Sequence, residues 1–256
     1  MKKIFSGLAI TTVLATTCLA HAADVKPTVV LVHGAFADSS SWNGVVKILE
    51  KDGYPVISAA NPLRGVASDA QSVASIVKSV KTPVVLVGHS YGGAVISDAA
   101  YGCQNVKALV YVAAFTPEKG ETATELSGRF PGGTLASALA APVDLADGGK
   151  DLYIQQDKFH DQFAADVSEA DARLMAAGQR PITVAALNEA ATEPAWKTIP
   201  SWFVYGDKDK NIPPHAMAFM AERAHAKQTV VVKGGSHVVM VSNPEIVADL
   251  IEKAAQ

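Results

Sequence analysis

The chain is short of cysteine, of runs of one charge and of long apolar stretches, and each shortage excludes something. Only Cys18 and Cys103 occur in 256 residues. No Lys/Arg run appears and the formal charge is −3, so there is no electrostatic footprint for nucleic acid or an anionic membrane. Past the N-terminal segment no apolar stretch is long enough to span a bilayer, and no stable membrane association is expected. His160, His215 and His225 lack metal-ligand spacing with one another and are expected on the solvated surface. No repeat or low-complexity linker divides the chain. The whole chain, 49 % hydrophobic and 18 % charged, has the balance of a globular protein and the length for one large α/β domain.

The first 22 residues follow other rules. Lys2-Lys3 is a short basic region, Ile4 to Leu19 is apolar and uncharged, and Ala20-His21-Ala22 is a small-x-small cleavage site. This is the pattern of a secretory signal at residues 1–22, removed after Ala22, and it predicts a periplasmic or secreted protein. The cut leaves residues 23–256 as one domain. It removes Lys2, Lys3 and Cys18, so the charge falls from −3 to −5 and Cys103 stands alone. The mature chain therefore has no internal disulfide even in an oxidising compartment. Cys103, at the end of a predicted helix, is expected to be a buried, inert thiol.

Continuous apolar runs predict buried strands at Thr28 to Val32, Val84 to Val87 and Val106 to Ala113, and strands resume at Trp202 to Tyr205 and Thr229 to Val232. Tyr54 to Ala59 is a further strand. Helices are predicted at Val45 to Lys51, Ala67 to Val80, from Ala94, at Pro214 to Ala224 and at Pro244 to Ala255. Strands alternating with helices give a mostly parallel sheet, whose ligands sit beyond the carboxyl ends of the strands. Between about 117 and 198 the pattern changes. No strand is evident there, helices are predicted near Asp151–Ala165 and Ser168–Ala177, and the region is expected to form a helical cap.

The chain is organised around Val84 to Gly93: an apolar strand, then Gly88-His89-Ser90-Tyr91-Gly92, then a helix. Gly-x-Ser-x-Gly between strand and helix is the nucleophile-elbow pattern. A serine hydroxyl attacks well only if it is exposed and held rigidly beside a base. A tight strand-to-helix turn does this, at the positive end of a helix dipole. Later strand ends supply partners. One is followed by Asp207-Lys208-Asp209, the other by Lys233 to His237. The order Ser90, Asp, His237 is that of an α/β-hydrolase triad. His237 would take the Ser90 proton, and a carboxylate would orient the imidazole. Asp207 and Asp209 both remain candidates on their own residues, with Glu118 a remote third.

Over nearly all of residues 23–256 the chain resembles the α/β-hydrolase superfamily, and within it the compact branch of plant methylesterases and hydroxynitrile lyases. The likeness rests on Gly88 to Gly93, on Asp209 to Pro213 as Asp-x-x-Ile-Pro, and on Lys233 to His237 as Lys-Gly-x-x-His. It implies the α/β-hydrolase fold with a cap, Ser90, Asp209 and His237 as catalytic residues, and Asp209 over Asp207. One oxyanion-hole N–H follows the nucleophile, at Tyr91; the resemblance puts the other at Ala35. His33 and His89 are expected to have structural roles. Leu126, Phe130, Leu135, Leu139, Phe159, Phe163, Leu174 and Met175 are candidate pocket walls. The expected function is hydrolysis of small carboxylic esters through an acyl-enzyme, without cofactor or metal, on a small-molecule ester substrate. Rival readings on the same fold are a hydroxynitrile lyase, a C–C bond hydrolase, a perhydrolase and a non-catalytic receptor. The lyases of the branch carry a lysine after the catalytic histidine and a threonine after the first-loop histidine. Here those positions are Val238 and Gly34.

Overall fold

The computed structural model describes residues 25–256. The expected secretion signal, residues 1–22, lies outside the described residues. The first half of the chain alternates strand and helix: β1 (Thr28–Val32), α1 (Asn43–Lys51), β2 (Val56–Ala59), α2 (Val66–Ser79), β3 (Val84–His89), α3 (Tyr91–Ala99) and β4 (Val106–Val112). Residues β1 and β3 contribute to the sheet are all buried. That demands cover on both faces and explains why these strands read as unbroken apolar runs. The cover comes from α2 packed with α3, and from α1 packed with a C-terminal helix described below.

After β4 the chain leaves this sheet. It forms α4 (Ala123–Gly128), α5 (Leu135–Ala138), β5 (Val143–Asp144), β6 (Lys150–Leu152), α6 (Gln156–Phe163), α7 (Glu169–Gly178), β7 (Ile182–Thr183) and α8 (Val184–Asn188). Strands β5, β6 and β7 make a small antiparallel sheet, which corrects the expectation of a strandless region. The helix expected from Asp151 begins at Gln156, because Lys150 to Leu152 pair as β6. Strands of two or three residues are too short to show alternation in sequence.

The chain then returns with β8 (Ser201–Gly206), α9 (Pro214–Arg223), β9 (Gln228–Val232), α10 (Val239–Ser242) and α11 (Pro244–Ala254), the partner of α1. The main sheet has the order β2-β1-β3-β4-β8-β9 and is parallel throughout. After β1 the chain moves outward to β2, then crosses to the other side of β1 to enter β3. The carboxyl ends of β1 and β3 therefore flank a switch-point crevice, the usual ligand position in such sheets.

Candidate active site

Ser90 stands at the end of β3 with φ 53° and ψ −123°. For a residue with a Cβ this conformation costs about 1–3 kcal/mol and persists only where the surroundings fix it. Close backbone packing does so. A Cβ on Gly88 would lie 2.6 Å from the Gly92 carbonyl oxygen, and one on Gly92 would lie 2.6 Å from that of Val32. The Ser90 carbonyl accepts from the N–H groups of Gly93 and Phe115, at 3.0 and 3.1 Å.

The three side chains named from the sequence meet. His237 Nε2 lies 2.9 Å from Ser90 Oγ, and His237 Nδ1 lies 2.6 Å from Asp209 Oδ2. A carboxylate can only accept, so Nδ1 carries the proton and Nε2 is left to accept from the serine hydroxyl. The N–H groups of Asn211 and Ile212 donate to Asp209 Oδ1 at 2.8 and 3.0 Å, holding the carboxylate with Oδ2 toward the ring. Asp207 is elsewhere: its Oδ1 accepts from the Gly234 N–H at 2.7 Å and braces the loop after β9. Glu118 pairs with Lys197 at 2.6 Å and does not join the site.

Ala35 and Tyr91 border the same cavity as Ser90 and His237. Among the described residues neither backbone N–H donates to a protein acceptor. Tyr91 is the first residue of α3, where a helical N–H has no partner within its own helix. His33 is fully buried; its Nδ1 donates to the Gly34 carbonyl at 2.9 Å and its Nε2 accepts from the Asn61 N–H at 3.0 Å. His89, also fully buried, donates from Nε2 to the His237 carbonyl at 3.1 Å. Both serve structure, as expected. Burial pushes the pKa of His33 down, and burial together with nearby His237 pushes that of His89 well down. His160 departs from expectation. It is half-buried, with Nε2 against the Val167 carbonyl at 2.9 Å, while His215 and His225 are exposed. Cys103 is buried and donates to the Ala99 carbonyl, and burial raises its pKa.

Ser90, Asp209 and His237 are 7 %, 4 % and 1 % exposed, so a substrate reaches the serine only through the cavity. Its volume is about 420 Å³, and among the described residues no Lys, Arg, Asp or Glu lines it. Of the expected wall residues, Leu135, Leu139 and Phe163 line it. Leu126 and Phe159 are buried behind it, Phe130 packs on Phe219, and Leu174 is 73 % exposed, with Met175 beside it in a separate depression. Sequence reasoning missed Val184, Leu187 and Asn188 of α8, a five-residue helix too short for a periodic signal. It also missed Asn211 and Ile212 as cavity walls, whose position two and three residues after the candidate acid was the available clue.

The sequence model of the family described as "Alpha/beta hydrolase family" matches residues 29–250. Alpha/beta hydrolase nvfD of Aspergillus novofumigatus is 27 % identical over 90 % of this chain and 97 % of its own length. An alpha-hydroxynitrile lyase of Arabidopsis thaliana is 23 % identical over 88 % of this chain and 96 % of its own. Among solved structures, polyneuridine aldehyde esterase superposes with a TM-score of 0.78 at 17 % identity, covering 90 % of this chain and 100 % of that one.

Proposed function

Because this chain belongs to the alpha/beta hydrolase family, we propose that it hydrolyses small, uncharged carboxylic esters through an acyl-enzyme on Ser90. The observation that carries the reading is the hydrogen-bonded line Ser90–His237–Asp209, opening on a cavity without charged side chains. A charged substrate arm would lose its hydration there and find no counter-ion.

Ser90 Oγ attacks the ester carbonyl carbon while its proton passes to His237 Nε2. Asp209 keeps the ring in the required tautomer and stabilises the imidazolium. The carbonyl oxygen becomes an oxyanion and accepts from the N–H groups of Ala35 and Tyr91, each worth about 3 kcal/mol to the transition state. As the tetrahedral centre collapses, His237 returns the proton to the departing alkoxide and the alcohol leaves. Water then attacks the acyl-enzyme with His237 again as base. The carboxylic acid departs and Ser90 recovers its proton. Every proton is carried by a group of this chain, and the steps need no other cofactor.

Turnover of a chain-length panel of p-nitrophenyl esters by purified protein tests this. Release of nitrophenol with saturation kinetics is expected, and an ester that also carries a free carboxylate should react poorly. Absence of ester turnover across the panel would defeat the reading. The N-terminal pattern further supports export with cleavage after Ala22, and the intact mass of the exported protein checks it: a mass that includes residues 1–22 would refute it.

A further inference from the structure

Tyr91 follows the strained Ser90 directly, and its side chain is anchored at an unexpected place. The ring is fully buried, and the hydroxyl donates to Asp69 Oδ2 at 3.0 Å. Asp69 lies in the first turn of α2 and is fully buried too. Among the described residues it forms no ion pair. Its carboxylate is held by neutral donors: the Arg64 N–H at 3.2 and 3.1 Å to its two oxygens, the Tyr91 hydroxyl, and the Ser68 hydroxyl at 3.4 Å. Burial pushes the Asp69 carboxyl up, and these hydrogen bonds only partly oppose that. Packing alone does not call for such a group, since an apolar side chain of the same volume does as well or better in a core. What the carboxylate adds is a fixed attachment point for one hydroxyl.

We propose that Asp69 is a positioning residue, which through the Tyr91 hydroxyl fixes the Ser90–Tyr91 peptide and so aims the Tyr91 N–H at the developing oxyanion. This rests on the reading above, in which that N–H is an oxyanion donor. The strain at Ser90 would relax by rotation of the peptide that carries this N–H. The helix holds Tyr91 by its backbone, and Asp69 holds it by the far end of its ring. Together they deny the peptide that rotation. The anchor is itself braced from the other side. Arg64, whose N–H meets Asp69, donates from its guanidinium to Asp151 Oδ1 at 2.7 Å and to the Pro181 carbonyl at 2.9 Å. Its carbonyl accepts from the Thr183 hydroxyl at 3.0 Å. Asp69 thus stands where α2, α3 and the segment carrying β6 and β7 are tied together.

The test uses Tyr91→Phe, Asp69→Asn and the double variant of the full chain. Three quantities are read: kcat and KM on a p-nitrophenyl ester, the Ki of a matched trifluoromethyl ketone, and the unfolding midpoint in urea. The ketone forms a hemiketal whose oxygen needs the oxyanion donors. Loss of a whole donor costs 10²–10³ in kcat, so a donor that is loosened should cost about tenfold. Tyr91→Phe should therefore lower kcat about tenfold, raise the ketone Ki by a similar factor and leave KM within about twofold. The double variant removes the buried charge and its lost partner together, so it should regain stability over Tyr91→Phe without regaining kcat. Recovery of kcat in step with stability would overturn the proposal, since it would make the contact merely structural. So would unchanged kcat and Ki in Tyr91→Phe. If wild type neither turns over esters nor binds the ketone, the underlying reading of the site fails first and this one with it.

Discussion

Gly34 and Ser90 are packed back to back: a Cβ on Gly34 would lie 2.6 Å from Ser90 Cβ and 2.7 Å from the His89 carbonyl oxygen. Neither neighbour can yield, because both belong to the elbow. Even Gly34→Ala must shift the loop that carries the Ala35 N–H. A misplacement of about 1 Å near the chemistry can cost 10²-fold, so kcat for a short ester should fall by about that factor. Gly34→Thr should do worse. Combined with Val238→Lys, which buries an ammonium at a fully buried position, it should remove esterase activity without creating a lyase. Wild type should hydrolyse aryl esters and release no cyanide from mandelonitrile above background. Cyanide release without ester turnover would reverse this assignment.

Ser90→Ala should lower kcat for esters by about 10⁶, as expected when serine, histidine and carboxylate act as a unit. A fluorophosphonate should label wild type once, on Ser90, as read by peptide mass. Labelling at another serine would displace Ser90 as nucleophile.

Asp209 and Asp207 are two residues apart and differ sharply in surroundings. Asp209 is buried against His237 Nδ1, whereas half-exposed Asp207 braces the Gly234 N–H. Asp209→Asn should cost about 10⁴ in kcat with the fold retained, because the ring loses its tautomer. Asp207→Asn should cost only what a loop hydrogen bond is worth, about 1 kcal/mol of stability. Steady-state kinetics on both variants decides; reversed effects would transfer the acid role to Asp207.

The middle of the main sheet was legible because β1, β3 and nearly all of β4 are buried on both faces and so appear as unbroken apolar runs; the half-exposed edge strand β9 was found from its Val run alone. Predicted and observed boundaries for β1, β4 and β9 agree within a residue. Ser90, Asp209 and His237 were legible because each follows a strand end, where a parallel sheet brings distant segments together. What stayed hidden depends on contacts with no local signature. The paired segments β5 to β7 are too short to alternate. Five of the eight expected wall residues proved to lie outside the cavity lining, since an apolar residue in a short helix can face either way. Asp69 reads as an ordinary acid in the first turn of a helix, and nothing in Ser68-Asp69-Ala70 reveals that it is fully buried under Tyr91.

The fold should begin to lose stability as pH falls through 6.5, and the cause is a pair of buried histidines. His33 is fixed as a neutral ring, because its Nε2 accepts from Asn61; protonation would turn that acceptor into a donor facing an N–H. His89 is fully buried and lies 4.8 Å, centroid to centroid, from the His237 ring. Both have pKa values below 6.5 in the fold, chiefly through burial. As pH falls through 6.5 the unfolded chain binds protons that the folded chain refuses, so stability falls. Each histidine contributes up to about 1.4 kcal/mol per pH unit until its folded pKa is reached. Glu121 acts lower down. Burial pushes Glu121 up, but hydrogen bonds from Arg223 and Arg129 outweigh it and hold the carboxyl at about 2. Its stabilisation is present above the unfolded value near 4.5 and is lost as pH falls toward 2. Asp69 and Glu252, raised chiefly by burial, protonate first in the folded state and act in the opposite sense. Urea unfolding of wild type and His33→Gln at pH 6.5 and 5.5 therefore reads the contribution of His33 by difference. Wild type should lose stability over that unit, and His33→Gln, which can still donate and accept but cannot titrate, should lose less. An equal slope in both proteins would show that His33 titrates freely in the fold.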